Sequence, residues 1–379
     1  MNINKVIFFT YGDSSSASTW SNVPFLFTKS LEDIGIKIYR VDLSSPKFLR
    51  RIYDKCIHPL IKLFFRDSLY TFNRTYLNEY IIYKRIQKNI LKYNDADICI
   101  FTSFDYYNKF NAIPEVLFCD WTFQMLIEER HKRKPYFFER RFIKQQNEAL
   151  KNAKKTVSLF PHTANVLKIN YPDKEIHYFN TNVINNLCGY EWTDNEILNK
   201  KTRSNIILFI GSSKYLEGAK CLIRAFQILV RENSSLQLHI IGIQTNEICD
   251  VKTSSNIFCH GYLRKDIETE NELYYKLLIN AKVIVNPTPI WSGYSSIIEA
   301  MYFFTPVIIC KYQDFSIEFG NDIDFGLYTN DEFNHEKLAT DIDTLFKTES
   351  YDLMCKNAHE KVYNYTWDRY VFNILELFK

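Results

Sequence analysis

Two bends in the second half of the chain carry the residue types for binding an anion. The first follows the apolar run Ile206–Ile210 and reads Gly211, Ser212, Ser213, Lys214 and on to Gly218, before helical apolar spacing sets in at Cys221. The second follows Val283–Asn286 and passes through Gly293, Tyr294, Ser295 and Ser296 into Ile297, Ile298, Glu299, Ala300 and Met301. Each reads as strand, tight loop, helix. Backbone N–H groups at a helix start point at an anion, and the helix dipole favours negative charge there. Two such loops at the carboxyl edge of one parallel sheet make a site for a phosphorylated nucleotide. Lys214 is the cation inside the first loop, and Lys220 lies just beyond it.

The first half offers fewer reactive groups. Gly12, Asp13 and Ser14 follow the apolar run Val6–Thr10, where they read either as a polar turn or as the border of a reaction centre. Asp120 follows Val116–Cys119, so it stands at the carboxyl end of a strand, where catalytic groups collect; a helix N-cap is the alternative. His131 and His162 have no second ligand at helical spacing and read as surface or capping residues. Asp95 and Asp97 mimic a metal-binding Asp-x-Asp pair but precede the strand Ile98–Phe101, at the wrong edge of the sheet. No metal is expected. The nine cysteines are odd in number and form no Cys-x-x-Cys pair, which suits free thiols in a reducing compartment.

Apolar strands alternate with helical segments in both halves, which predicts an α/β chain of two Rossmann-like doubly wound domains facing across a cleft. At 379 residues the chain suits two domains. The expected boundaries are 1–185 for the first domain, 186–205 for a polar linker, 206–364 for the second domain, and 365–379 for a terminal helix. With 46% hydrophobic and 24% charged residues the composition is that of a folded globular protein. A net charge of +3 excludes a globally polybasic nucleic-acid binder. No apolar run approaches membrane-spanning length, and the N-terminus runs straight into a strand, so the chain is expected in the cytoplasm.

The second half resembles the retaining glycosyltransferases of family 4 (glycosyl transferases group 1), which have the GT-B fold. The likeness rests on Phe209-Ile-Gly211 with Gly218, His260-Gly-Tyr262, Glu272-Leu-Tyr-Tyr275 with Asn280-Ala-Lys-Val-Ile-Val285, Ile297-Ile-Glu-Ala-Met301 and Thr305-Pro-Val307. In the first half, Asp120-Trp-Thr-Phe123 is similar to segments of some bacterial members. The resemblance implies an acceptor domain first and a donor domain second, and a sugar moved from a nucleoside diphosphate sugar to an acceptor hydroxyl with retention. It implies a hexosyltransferase-type enzyme needing no metal or other cofactor. Gly12, Gly211, Ser212, Lys214, Gly261, Tyr262, Gly293, Tyr294, Ser295, Ser296 and Glu299 would bind the donor. Glu299 would hold the ribose, and Asp120, Lys214 and Glu299 would form the catalytic set. Three positions depart from the family pattern: Ser212 for an arginine, Glu217 for a lysine and Trp291 for a glutamate. They motivate a rival reading, a GT-B protein that binds sugar nucleotides or carbohydrate and has lost turnover.

Between Lys47 and Lys92, eleven Lys and Arg face three acids, interleaved with aromatic and aliphatic residues. A second cluster holds Lys132, Arg133, Lys134, Arg140 and Arg141 around Tyr136, Phe137 and Phe138. Such a pattern suits either an anionic membrane surface or ordinary amphipathic helices. The expected partners are a nucleotide sugar, a glycan or lipid-linked saccharide acceptor in surface polysaccharide or glycolipid synthesis, and peripheral contact with the inner face of a membrane. Nucleic acid is not expected.

Overall fold

Short, uninterrupted apolar runs make strands that are buried on both faces, as a parallel sheet covered by helices requires. The computed structural model describes residues 3–110, 112–179, 184, 188, 192–248, 254–289, 293–329 and 333–379. The chain divides into two units, Met1–Asn180 with Trp367–Lys379, and Thr181–Thr366.

The first unit holds β1 (Lys5–Thr10), β2 (Lys37–Asp42), β3 (Ile98–Phe101), β4 (Glu115–Cys119), β5 (Lys155–Ser158) and β6 (Glu175–Tyr178). They pair in parallel in the order β2-β1-β3-β4-β5-β6. Strand order reverses between β1 and β3, the place where open α/β sheets bind ligands beyond their carboxyl ends. The terminal helix Trp367–Glu376 belongs to this unit and lies on the helix Val23–Asp33: Phe27 meets Trp367 at 5.8 Å between ring centres, and Ser30 Oγ bonds Asp368 Oδ1 at 2.6 Å. Asp97 accepts the N–H groups of Asn4 and Lys5 at 2.8 Å, and Asp95 pairs with the Lys5 ammonium at 2.7 Å. The Asp95/Asp97 pair therefore pins the start of β1.

The second unit holds β7 (Ile206–Ile210), β8 (Gln237–Ile241), β9 (Ile257–Gly261), β10 (Ala281–Asn286), β11 (Val307–Cys310) and β12 (Gly326–Thr329), all parallel, in the order β12-β11-β10-β7-β8-β9. Here the order reverses between β7 and β10, the two strands that lead into the glycine- and serine-bearing loops.

The expected linker needs correction. Asp194–Arg203 is a helix, with Ile197 and Lys201 buried in the second unit. Thr193 and Glu196 form a reciprocal capping box at its start, so the segment has its own helix signal and an apolar anchor. Of the remainder of the expected linker, positions 186, 187 and 189–191 lie outside the described residues. Among the described residues no helix is long and apolar enough to cross a membrane, and no group of three or more His, Cys, Asp or Glu is placed to hold a metal ion.

Candidate active site

The first turn of the helix that follows the β7 loop packs closely on the loop after β10. Gly218 opens the helix Leu216–Glu232, and a side-chain carbon there would lie 2.3 Å from Thr288 Oγ1, so only hydrogen fits between the two. Asn286 at the end of β10 is fully buried, and its Oδ1 accepts the Thr288 N–H at 3.2 Å. The first loop is shaped from its other side by β8. Gly242 has φ +94°, and a side-chain carbon on it would stand 2.4 Å from the Gly211 carbonyl oxygen. That neighbour is backbone and cannot swing aside. Gly242→Ala is therefore expected to cost about 3 kcal/mol, from left-handed strain plus displacement of the Gly211 peptide, read as a lower denaturant midpoint.

Around this junction the predicted donor residues separate into three groups. Ser212, Ser213 and Lys214 are exposed on the first loop, where Ser213–Tyr215 makes a short turn. The Ser213 hydroxyl bonds the Glu247 carboxylate, whose other oxygen accepts the Gln244 N–H at 2.7 Å, tying this loop to the one after β8. Glu217 pairs with Lys220 at 3.4 Å. Gly293, Ser295 and Ser296 remain at least partly accessible where the helix Ser295–Tyr302 starts. Trp291 lies outside the described residues.

Two of the predicted donor residues turn inward. The Tyr294 ring is fully buried among Tyr312, Phe315 and Phe319, at 5.6, 5.2 and 6.3 Å between ring centres. It anchors the helix start and offers a ligand only its backbone. Glu299, on the same helix, is also buried. Its carboxylate accepts the Lys265 ammonium at 2.7 and 2.8 Å, the Tyr274 hydroxyl at 2.7 Å and the Tyr275 hydroxyl at 3.1 Å. Two carboxylate oxygens offer about four acceptor sites. These four bonds fill them, so a ribose would have to displace one. Burial first, and the Glu299 charge second, push the Tyr274 hydroxyl well above the usual tyrosine range.

Lys265, which the sequence did not single out, also belongs to this arrangement. Its side chain is 10% exposed and lies over the Tyr274 ring at 4.2 Å. It lies in the loop after β9, three residues beyond Tyr262, which is exposed at the carboxyl edge beside Gly261, the last residue of the strand. His260 faces His239, Nε2 to Nδ1 at 2.9 Å. Burial lowers both imidazoles, His239 to about 4 with His260 adding to the effect, so this pair is neutral at pH 7.

In the first unit, Gly12 follows β1 and its N–H donates to Asp42 Oδ1 at 2.9 Å, tying the loop to the end of β2. Asp120 follows β4, and its Oδ1 accepts the Trp121 N–H at 2.8 Å. Thr122, not Asp120, caps the next turn, accepting the Met125 N–H at 3.2 Å. Burial raises the Asp120 carboxyl. A second carboxylate, not singled out from sequence, stands at the switch point itself: Asp105, beyond β3, accepts the Tyr11 hydroxyl at 3.1 Å and the Gln146 amide at 2.6 Å. Burial raises it too, against the pull of Gln146 and of the Arg74 charge. Burial thus disfavours the charged form of both carboxyls, and both stand at the carboxyl edge of the sheet, where reactive groups collect.

Comparison with known proteins bears on the fold. Residues 191–362 match the model of the family described as glycosyl transferases group 1. No curated protein sequence matches. Among solved structures, a sucrose-phosphate synthase from Thermosynechococcus elongatus superposes with a TM-score of 0.68 at 13% identity, covering 99% of this chain and 98% of that one. WaaG, a glycosyltransferase involved in lipopolysaccharide biosynthesis, gives 0.64 at 13% identity, covering 97% and 99%. HepE of Anabaena in complex with UDP and glucose gives 0.61 at 11% identity, covering 100% and 99%. At such identities the superpositions speak for the fold. The match to the glycosyl transferases group 1 model lies within the second unit, and the chain as a whole has the two-domain GT-B fold.

Proposed function

We propose that the chain transfers a sugar from a nucleoside diphosphate sugar to an acceptor hydroxyl, with retention of anomeric configuration. The observation that carries this reading is the contact of Gly218 with Thr288, which joins the helix start after the β7 loop to the β10 loop, at the switch point of the unit that holds the glycosyl transferases group 1 match. That junction leaves the Gly211–Lys214 backbone and the helix start at Gly293–Ser296 to receive a diphosphate. One neighbour, HepE, was solved with UDP and glucose and again with UDP-glucose, which supports a uridine nucleotide as the first candidate.

In this reading the acceptor oxygen bonds to the anomeric carbon while the bond from that carbon to the diphosphate oxygen breaks. The acceptor proton passes to the leaving phosphate. Lys214 supplies a cation beside the departing charge, in place of the arginine and lysine that the family pattern has near this loop. Tyr262 offers an exposed ring for the base. Glu299 takes the ribose hydroxyls once Lys265 yields an acceptor site. Asp120 and Asp105, on the first unit, are the carboxyls available to an acceptor. The acceptor is a glycan or lipid-linked saccharide, and the protein works in the cytoplasm at the inner face of a membrane. No metal is required.

The filled carboxylate of Glu299 also supports the rival reading, a protein that binds sugar nucleotides without turnover. A screen of UDP-, GDP- and dTDP-sugars for hydrolysis and for transfer to simple glycosides separates the two. One donor class is expected to turn over, and Glu299→Ala is expected to lower its rate at least about a hundredfold, the scale of a lost transition-state contact. The same variant strands the Lys265 ammonium and is expected to lose about 3 kcal/mol of stability. Silence across the whole panel from well-folded protein would favour the binding protein.

A further inference from the structure

Helices of the first unit generally hide their apolar residues. Tyr76–Lys92, the second half of the basic and aromatic stretch, buries Ile82, Ile86 and Ile90 and is an ordinary amphipathic helix. The continuous helical stretch from Lys47 to Phe64 does not follow suit. Of its residues only Tyr53 is buried, on Phe72 at 5.8 Å between ring centres. Phe48 is 72% exposed, Leu60 61%, Leu63 70% and Phe64 76%.

These side chains form a row. Phe48, Ile52, Cys56 and Leu60 recur every fourth residue, and in a plain α-helix such a row would drift by about 40° per step. The turn Tyr53–Ile57 is π-helical, with more residues per turn, and this carries the row back into line. Lys47, Arg51 and Lys55 repeat at the same spacing and form a second row beside it. None of the three makes an ion pair among the described residues, while Asp54, the lone acid of the stretch, is held by Arg50 at 3.6 Å. At its far end the stretch runs into Phe65, whose ring meets Tyr136 and Phe138 at 4.8 and 5.1 Å. Phe137 beside them is 73% exposed, flanked by exposed Lys132, Lys134 and Arg140.

An apolar row with a row of unpaired cations along its edge has one natural occupant. A second copy of the chain, docked about a two-fold axis, would bring the same cations against themselves. A nucleic acid would meet the cations and leave the aliphatic row uncovered. A bilayer with anionic headgroups takes both: the row sinks to the acyl boundary, and the cations stay at the phosphates. We infer that Lys47–Phe64, with Phe137 at its end, is the surface by which this protein lies on an anionic membrane. The proposed lipid-linked acceptor gives that contact its purpose, but lipid binding needs neither donor nor turnover, so the two readings fail separately.

Co-sedimentation of the full chain with phosphatidylcholine vesicles, with and without phosphatidylglycerol, tests this. Binding is expected only with phosphatidylglycerol and is expected to weaken as salt is raised. The variant carrying Lys47→Gln, Arg51→Gln and Lys55→Gln is expected to partition about a hundredfold less, at about fivefold per cation. The variant carrying Phe48→Ser, Leu60→Ser and Leu63→Ser is expected to lose binding at every vesicle charge. All six side chains are exposed, so both variants are expected to keep the wild-type melting temperature and nucleotide affinity. The inference is overturned if the chain binds neither vesicle, if either variant binds as well as wild type, or if the apolar variant instead abolishes self-association in a chain that ignores vesicles.

Discussion

A carboxylate placed at the second loop by Ser295→Asp is expected to leave the protein at least as stable and to weaken nucleoside diphosphate binding by about two orders of magnitude. Ser295 is exposed and is the first residue of the helix Ser295–Tyr302. Negative charge at a helix start is favoured by the dipole, by about 0.3–1 kcal/mol, so folding has no reason to suffer. A diphosphate seated on the same N–H groups would stand about 5–6 Å from the new carboxylate, where each like-charge pair costs about 3 kcal/mol at an effective dielectric near 20. Melting temperature and calorimetric affinity, measured on one preparation, separate the two effects. If both fall, the residue is structural. If the affinity holds while the protein is intact, the diphosphate does not sit at this helix start.

The second large effect concerns Lys201, whose ammonium is fully buried and donates to the Thr305 hydroxyl at 2.6 Å and to the Leu278 carbonyl. No carboxylate bonds to it among the described residues, and burial pulls it from 10.5 down to about 7. Between pH 7 and 10.5 the unfolded chain therefore carries a proton that the folded chain lacks. Stability rises with pH across that window, by about 1.4 kcal/mol per unit, and this contribution is flat below it. Lys201→Met removes the titration and keeps the length of the side chain. The difference in unfolding free energy between variant and wild type is expected to move by about 4 kcal/mol in favour of wild type from pH 7 to pH 10, measured by urea denaturation. A difference that does not change with pH would mean that Lys201 keeps its ordinary affinity for protons.

The strands were readable because a parallel strand buried on both faces leaves an unbroken apolar run, as in Ile206–Ile210 and Val307–Cys310. The two loops were readable because glycine marks places where backbones or side chains approach closely, and Gly218 against Thr288 is such a place. Lys265 escaped notice for a tertiary reason. Between Arg264 and Asp266 it reads as one more solvated charge, and its burial arises only when Tyr274 and Tyr275, on the helix Glu268–Asn280, fold over it. Lys201 was hidden likewise in a run of polar residues. The Thr193–Glu196 capping signal was there to be used, and it would have turned the expected linker into a helix. Tyr294 misled because a tyrosine among glycine and serines looks like loop, whereas its ring fills the space beside Tyr312 and Phe315. The basic and aromatic stretch needed coordinates to divide it: the same composition gives a core-facing helix at Tyr76–Lys92 and a bare one at Lys47–Phe64.

Calorimetric titration of the protein with UDP, GDP and dTDP, alongside uridine, guanosine and thymidine, tests the seating of a diphosphate at the β7–β10 junction most directly. One diphosphate is expected to bind, with its bare nucleoside at least about a hundredfold weaker, because the N–H groups at the two loops contribute only when phosphate is present. Failure of all three diphosphates to bind folded protein, or equal affinity for a diphosphate and its nucleoside, would contradict it.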